Sequence, residues 1–443
     1  MTISNHQNIH SVLTRLTNRV ILRALFVMAF FVANWGVVGL AMPVSANDTP
    51  LLTGAEQPHL YLPLIKNKRV GLVVNQTSII TKGQIPNQHL VDELLKNQVQ
   101  VVRLFAPEHG IRGTLSAGET FNSSVDSVTG LPIVSIYGRS KRPNREVIED
   151  LDVLIFDIQD VGARFYTYIN SMFYMMQAAQ QANIEFVVLD RPNPHISTVS
   201  GPMLDAKFRS FVGLLPIPMV HGMTVGEIAK MAVGEDWLNS IDPLLIEGLT
   251  PQSSDKSKLK LTVIPVHNYT RRTDYTLPVA PSPNLPNQQA IRLYPSLCLF
   301  EATPISIGRG TDFPFQVIGH HQAHSGDFEF TPEVKPLAAK NPKLKGIKLT
   351  GQDLRSTEIE HLNLSYLLDW YKQFERYNLS VENLEQKDTL TFFSRADFFD
   401  KLAGTDQLRK QIEKGMSEQE IKASWQPALD VFERQRQPYL LYP

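Results

Sequence analysis

The chain has 443 residues, of which 43% are hydrophobic and 20% charged, and its formal net charge is -1. That balance excludes a wholly disordered chain and leaves no basic footprint for nucleic acid. The length suits two or three domains of about 150 residues each.

Residues 1–46 differ from the rest. Arg15, Arg19 and Arg23 carry their only charges. An apolar run from Ala24 to Ala41 follows, then Pro43 and the small-x-small stretch Val44-Ser45-Ala46. This is the pattern of a secretory signal peptide cleaved after Ala46, which places the body of the protein outside the cytoplasm, periplasmic or secreted. The alternative is an uncleaved anchor, since the run is near the lower limit for a membrane span. Without that anchor no stable membrane partner is expected. Cys298 is the single cysteine, so no internal disulfide forms and stability rests on packing. It lies in the apolar run 297–300 and reads as core.

Residues 69–75 read as a short buried strand, and 88–97 as a helix with Leu90, Val91, Leu94 and Leu95 at helical spacing. A second buried strand begins at Val99 and ends before Pro107. Residues 132–137 form another, and the charged segment 143–150 is predicted to be helical. Residues 153–157 and 185–190 are strands that each end in an acid, with a helix over 169–182 between them. Thr224 and Glu227 make a capping box for a helix to Val233, and 259–266 is a further strand. This alternation means a mainly parallel sheet with helices on both faces.

A proline-dense segment over 277–286 marks a crossing between domains. Beyond it, short strands near 346–350 mix with helices near 362–374, 395–402 and 406–414. The tail 418–436 reads as a surface helix interrupted by Pro427. The predicted organisation is a signal segment over 1–46, a larger α/β domain over 47–286 and a smaller α+β domain over 287–443.

Four apolar strands end in polar clusters: Asn75-Gln76, Glu108-His109, Asp157 with Gln159 and Asp160, and Asp190 with Arg191 and Asn193. In a parallel sheet the carboxyl ends share one edge, and ligands bind in the crevice there. The four clusters are therefore predicted to face one cleft, although acids after strands also serve as helix N-caps. Glu108 has the strongest claim to chemistry. It follows a buried strand and sits on a loop where Gly110 and Gly113 bracket Arg112, a setting that suits a general acid. Asp157, Asp160, Glu119 and Glu301 are candidate second carboxylates. Arg164 offers a planar fork to a carboxylate-bearing ligand, and Tyr166 and Tyr168 offer aromatic faces with polar tips. His320, His321 and His324 lack an accompanying acid-rich metal motif. Ser306 lacks the first glycine of a nucleophile elbow. The Gly308-Arg309-Gly310 loop reads either as a ligand-approaching loop or as a plain turn.

The strings FAPEHGIRG (105–113), AGE (117–119), TGLPIVSIYG (129–138), FDIQDVGARFYTY (156–168), VLDRPNP (188–194), GP (201–202), FVGLLPIPMVHGMTVGEIA (211–229), PSPNLP (281–286) and EATPISIGRGTDFPF (301–315) carry a family resemblance. The chain resembles the bacterial family DUF1343, the exo-acting β-N-acetylmuramidases of the NamZ type. The resemblance implies a Rossmann-like larger domain, a smaller C-terminal domain and a cleft between them. It implies release of terminal β-1,4-linked N-acetylmuramic acid from peptidoglycan fragments, with Glu108 as the catalytic glutamate and no metal or cofactor. The lactyl carboxylate of that sugar gives Arg112, Arg164 or Arg309 a purpose. Within the matching strings, His109, Arg112, Glu119, Tyr137, Gln159, Arg164, Tyr166, Tyr168, Asp190, Asn193, His221, Asn284, Glu301, Arg309 and Thr311 are the candidate substrate contacts. The chain reads Glu301-Ala302-Thr303 where the family has Glu-Gly-Thr, and His195-Ile196-Ser197 where it has glycines. A non-catalytic muropeptide- or sugar-binding protein is the alternative function. A metal-dependent hydrolase using His109, His221 or the histidines near 320 is the third.

Overall fold

In the run VGLVV every residue is buried over Val70–Val74 (β1). A strand with no polar face must be covered on both sides, and that is the condition of a strand inside a parallel sheet. The computed structural model describes residues 50–81, 88–108, 110–113, 124–138, 141–241, 258–322, 326–359, 362–382 and 391–443. The expected signal segment lies outside these residues, as do His109, Glu119 and His324.

The sheet adds Val101–Ala106 (β2), Ser124–Val125 (β3), Pro132–Ser135 (β4), Val153–Asp157 (β5), Glu185–Leu189 (β6) and Leu261–Ile264 (β7). Their order is β7-β6-β5-β1-β2-β4-β3. Neighbours are parallel except the two-residue edge strand β3, which is antiparallel to β4. Helices Leu90–Lys96 (α1), Tyr168–Ala182 (α2) and Val225–Gly234 (α3) are among those that cover it. The capping box of α3 forms as expected, with the Thr224 hydroxyl accepting from the Glu227 amide. The segment 143–150 is not a helix. It contains a single 3-10 turn, Arg145–Val147, with no buried residue. Pro143 and the lack of an apolar stripe leave nothing to anchor a longer helix.

After the proline-dense segment the architecture changes. Gln288–Leu297 (α4) begins at Asn287, whose side chain caps the Ala290 amide at 2.9 Å. Val317–His320 (β8), Phe328–Phe330 (β9) and Leu349–Asp353 (β10) form an antiparallel sheet with β10 in the centre. Ser365–Glu382 (α5), Ala396–Ala403 (α6), Gln407–Glu413 (α7) and Glu418–Arg436 (α8) complete this smaller part. Helix α8 runs through Pro427 without a break, contrary to the sequence expectation. Ile421, Trp425, Leu429 and Phe432 are buried on both sides of the proline. Their packing offsets the roughly 3 kcal/mol that an internal proline costs.

The end of the chain returns to the large sheet. Phe432 belongs to the apolar cluster under α2 and α3. The Leu441 amide donates to Glu227 at 2.8 Å, and the Tyr442 hydroxyl donates to Asp190 at 2.5 Å. Another apolar cluster joins Val161, Phe165 and Met219 to Phe300, Trp370 and Phe399. Leu51–Pro443 accordingly pack as one compact unit.

Candidate active site

The carboxyl ends of β1, β2, β5 and β6 lie on one edge, as the strand-end clusters require. The sheet doubles back between β1 and β5, where such folds usually open a crevice. Here that point is filled. Asp157, at the end of β5, is fully buried and accepts from Arg191 through Nε at 2.5 Å and Nη2 at 2.9 Å. Asn75 caps its own turn by accepting from the Thr77 amide and hydroxyl. The open space lies instead over β2 and β4, where the smaller part of the chain faces them.

That space is a cavity of about 800 Å3, bordered from the sheet side by Glu108, Tyr137, Thr167 and Phe211. Tyr294, Glu301, Arg309, Lys343 and Arg395 border it from the other side. An adjoining recess of about 90 Å3 shares Glu108 and Arg309 and adds Tyr166, Tyr168 and Asn284. The larger volume falls in the range of about 300–1,000 Å3 common for small-ligand sites.

Glu108 is half-buried one residue after Pro107, and the Tyr137 hydroxyl donates to its Oε1 at 3.0 Å. Burial, and then the Glu108 charge, push the Tyr137 phenol above its ordinary value, so it stays protonated as a donor. Tyr166 and Tyr168 both donate to the Pro281 carbonyl, at 2.8 and 3.3 Å, with their rings 4.9 Å apart. The proline-dense segment is thereby tied to the start of α2. Asn284 on that segment is buried and donates to the Ala338 carbonyl at 2.6 Å. Its Oδ1 has no partner among the described residues, which leaves an acceptor at the recess.

Glu301 lies on the 3-10 turn that continues α4, Cys298–Ala302. Burial alone would push its carboxyl up. The charges of Arg309 and then Lys343 outweigh burial and hold it below the ordinary carboxylate range. Arg309 meets it at 2.5 Å. Positive φ at Gly308 and Gly310, 79° and 88°, turns this loop back so that Arg309 reaches Glu301. A Cβ at Gly310 would stand 2.6 Å from the Glu333 carbonyl oxygen, so the turn needs glycine there. Lys343 donates to the carbonyls of Phe300, Glu301 and Thr303 at 2.8, 3.0 and 2.7 Å. It caps the turn that carries Glu301. Burial pushes the nearby Cys298 thiol up to about 12, so that thiol is protonated and no nucleophile.

The remaining sequence candidates are held elsewhere. Arg112 pairs with Asp126 at 3.0 Å and steadies the turn before β4. Gln159 donates to the carbonyls of Asp160 and Pro192. Asp160 is buried and accepts from the Gly162 amide at 2.7 Å, and burial pushes its carboxyl up to about 7. Arg164 is fully buried, donating to the carbonyls of Pro202, Ile217, Leu402 and Ala403. It joins the sheet side to the carboxyl end of α6, where a cation also meets the helix dipole favourably. Asp190 accepts from the Thr224 hydroxyl, the Gly226 amide and the Tyr442 hydroxyl, so the chain's own tail occupies it. Asn193 bridges Met223 and His195. Thr311 closes its own turn onto the Gly308 carbonyl at 2.6 Å. Among the described residues no three His, Cys, Asp or Glu side chains gather as a metal site. Lys343 and Arg395 escaped the sequence reading because neither stands at a strand end or in a recognisable motif.

His221 is also buried, with Nδ1 accepting from the Met223 amide at 3.2 Å. Burial, and then the Arg436 charge, push its imidazole down to about 3 from 6.5. Between those values the unfolded chain holds a proton that the fold does not, so stability falls as pH drops through this window. His221→Gln is expected to flatten that acid limb by up to about 1.4 kcal/mol per pH unit. Denaturant unfolding at a series of acidic pH values measures the slope, and an unchanged slope removes His221 as its source.

Residues 70–289 match the family profile described as exo-beta-N-acetylmuramidase NamZ, N-terminal, and residues 292–442 match its C-terminal counterpart. A curated relative, peptidoglycan beta-N-acetylmuramidase NamZ of Bacillus subtilis (strain 168), is 38% identical over 394 residues, which is 86% of this chain and 89% of that protein. Two crystal structures of DUF1343 family proteins from Bacteroides fragilis share the fold. One is 44% identical with a TM-score of 0.74, the other 27% identical with a TM-score of 0.69, and each match covers 89% of this chain and 99% of that one. By sequence along nearly its whole described length, and by fold, this chain belongs to the exo-β-N-acetylmuramidase NamZ family.

Proposed function

We propose that the protein is an exo-acting glycosidase that releases terminal β-linked N-acetylmuramic acid from peptidoglycan fragments. The observation that carries this reading is Glu108, hydrogen-bonded to Tyr137, in one cavity with a second carboxylate, Glu301, held ionised by Arg309 and Lys343. Glu108 donates its proton to the leaving glycosidic oxygen as the bond from that oxygen to the anomeric carbon breaks. The Glu301 anion offsets the positive charge that builds on the sugar ring, and water completes hydrolysis at the anomeric carbon. The unpartnered Oδ1 of Asn284 accepts a substrate N–H or O–H in the recess beside Glu108.

The test is incubation of the purified protein with peptidoglycan digested by an endo-N-acetylglucosaminidase, whose fragments carry N-acetylmuramic acid at the non-reducing end, followed by mass spectrometry of the products. Free N-acetylmuramic acid and fragments shorter by one sugar are expected. Binding without turnover would favour a sugar-binding protein, and release of disaccharides would rule out single-sugar exo cleavage. An extracytoplasmic location fits a cell-wall substrate and the sequence of residues 1–46. Cleavage after Ala46 would make Asn47 the first residue found by N-terminal sequencing of the protein from the cell envelope, whereas an intact N-terminus there would mean a retained anchor.

A further inference from the structure

N-acetylmuramic acid differs from N-acetylglucosamine by a lactyl ether that ends in a carboxylate. A glycosidase that tells the two apart needs a cation in its cavity with donors to spare. The arginines that sequence singles out are each already engaged by the protein itself. Arg112 is spent on Asp126, Arg164 on four carbonyls and Arg309 on Glu301. Lys343 uses its ammonium on three carbonyls, and Lys340, also at the cavity, has a partner of its own.

Arg395 is different. It borders the same cavity as Glu108 and Glu301. Its guanidinium lies 4.3 Å from the centroid of the Phe398 ring. Among the described residues it has no hydrogen-bond acceptor or ion-pair partner. Its backbone amide donates to the Ala302 carbonyl at 3.1 Å, so its position is tied to the turn that carries Glu301. A ring beneath a guanidinium restrains its plane and leaves the edge N–H groups free, which is the arrangement a carboxylate meets with two parallel hydrogen bonds.

We propose that Arg395 is the specificity-determining residue that binds the lactyl carboxylate of the terminal sugar. This rests on the muramidase reading above. The ionised Glu301 in the same cavity disfavours a second anion unless a cation receives it, and Arg395 supplies that cation. Because the contact is made to a group remote from the scissile bond, it acts through binding and orientation rather than through proton transfer.

The experiment compares wild type, Arg395→Ala and Arg395→Lys on an aryl β-N-acetylmuraminide and on its lactyl methyl ester. For Arg395→Ala, kcat/KM on the free acid is expected to fall about thirty- to a hundredfold, with a change of less than about threefold on the ester. Arg395→Lys should recover part of the difference, since it keeps the charge but not the fork. Equal losses on acid and ester, or no loss on the acid, would overturn the assignment. If wild type cleaves neither compound, the muramidase reading fails. Calorimetric binding of free N-acetylmuramic acid against N-acetylglucosamine, on wild type and Arg395→Ala, then still decides the role of Arg395. Preference for the acid that vanishes in the variant supports it, and an unchanged or absent preference refutes it.

Discussion

Glu108→Gln is expected to lower kcat on a natural muramyl disaccharide by about 10²–10⁴-fold while the fold survives. The amide has the shape of the acid, and its carbonyl still accepts from the Tyr137 hydroxyl that now reaches Oε1 at 3.0 Å. Half-burial at the cavity wall means that little packing is disturbed. What the amide lacks is an acidic proton for the leaving oxygen. The defect should therefore depend on the leaving group. A nitrophenolate departs with little protonation, so the same variant should lose much less on a nitrophenyl muramide than on the disaccharide. Near-wild-type turnover of the disaccharide would sink the assignment of the acid. Equal defects on both substrates would point to a role in binding instead.

Asp157→Asn should act almost wholly on stability. The carboxylate is completely buried and carries two hydrogen bonds from Arg191, which is itself only 2% exposed. Arg191 also donates to the Ile79 carbonyl at 3.0 Å, fixing the residues after β1 that pair with Gln88 and His89. Neutralising one member of such a pair leaves the other as an uncompensated buried charge, and losses of about 3–5 kcal/mol are usual. Denaturant unfolding should show that drop, while kcat per folded molecule, measured at low temperature, stays near wild type. A large loss of kcat with unchanged stability would return Asp157 to the list of catalytic groups.

The two carboxylates look alike in the sequence. Each ends an apolar strand, and both strands end on the same edge of one sheet. They part because of what the tertiary fold brings to them. Arg191 comes from the loop after β6 to neutralise Asp157. Asp190 is taken by Thr224 and, from 252 residues away, by Tyr442. Glu108 instead stands at the cavity wall, where the Tyr137 hydroxyl donates to it. Arg164 makes the same point for cations. The sequence offers a fork suited to a ligand, and the fold uses it on carbonyls from both parts of the chain.

Local features were legible for physical reasons that are themselves local. Continuous apolar runs marked β1, β2, β5 and β6, and helical spacing marked α1 and α2. The Thr224–Glu227 capping box needs only three residues of separation, and it formed. Errors arose where a local signal met a distant one. Charge without an apolar stripe at 143–150 was not enough for a helix, and Pro427 was not enough to stop one that buries Trp425 and Leu429.

By itself, then, the sequence determined the alternation of strands and helices, the shared edge on which the acids stand, and the loop that presents Glu108. Those follow from side-chain periodicity and turn chemistry within a few residues. Only the tertiary structure decided which polar groups remain available at the cavity. A buried charge takes whatever partner the fold brings within about 3 Å, and those partners lie tens to hundreds of residues away. That selection withdrew Asp157, Asp190 and Arg164 from the site, and it brought Glu301, Lys343 and Arg395 to face Glu108.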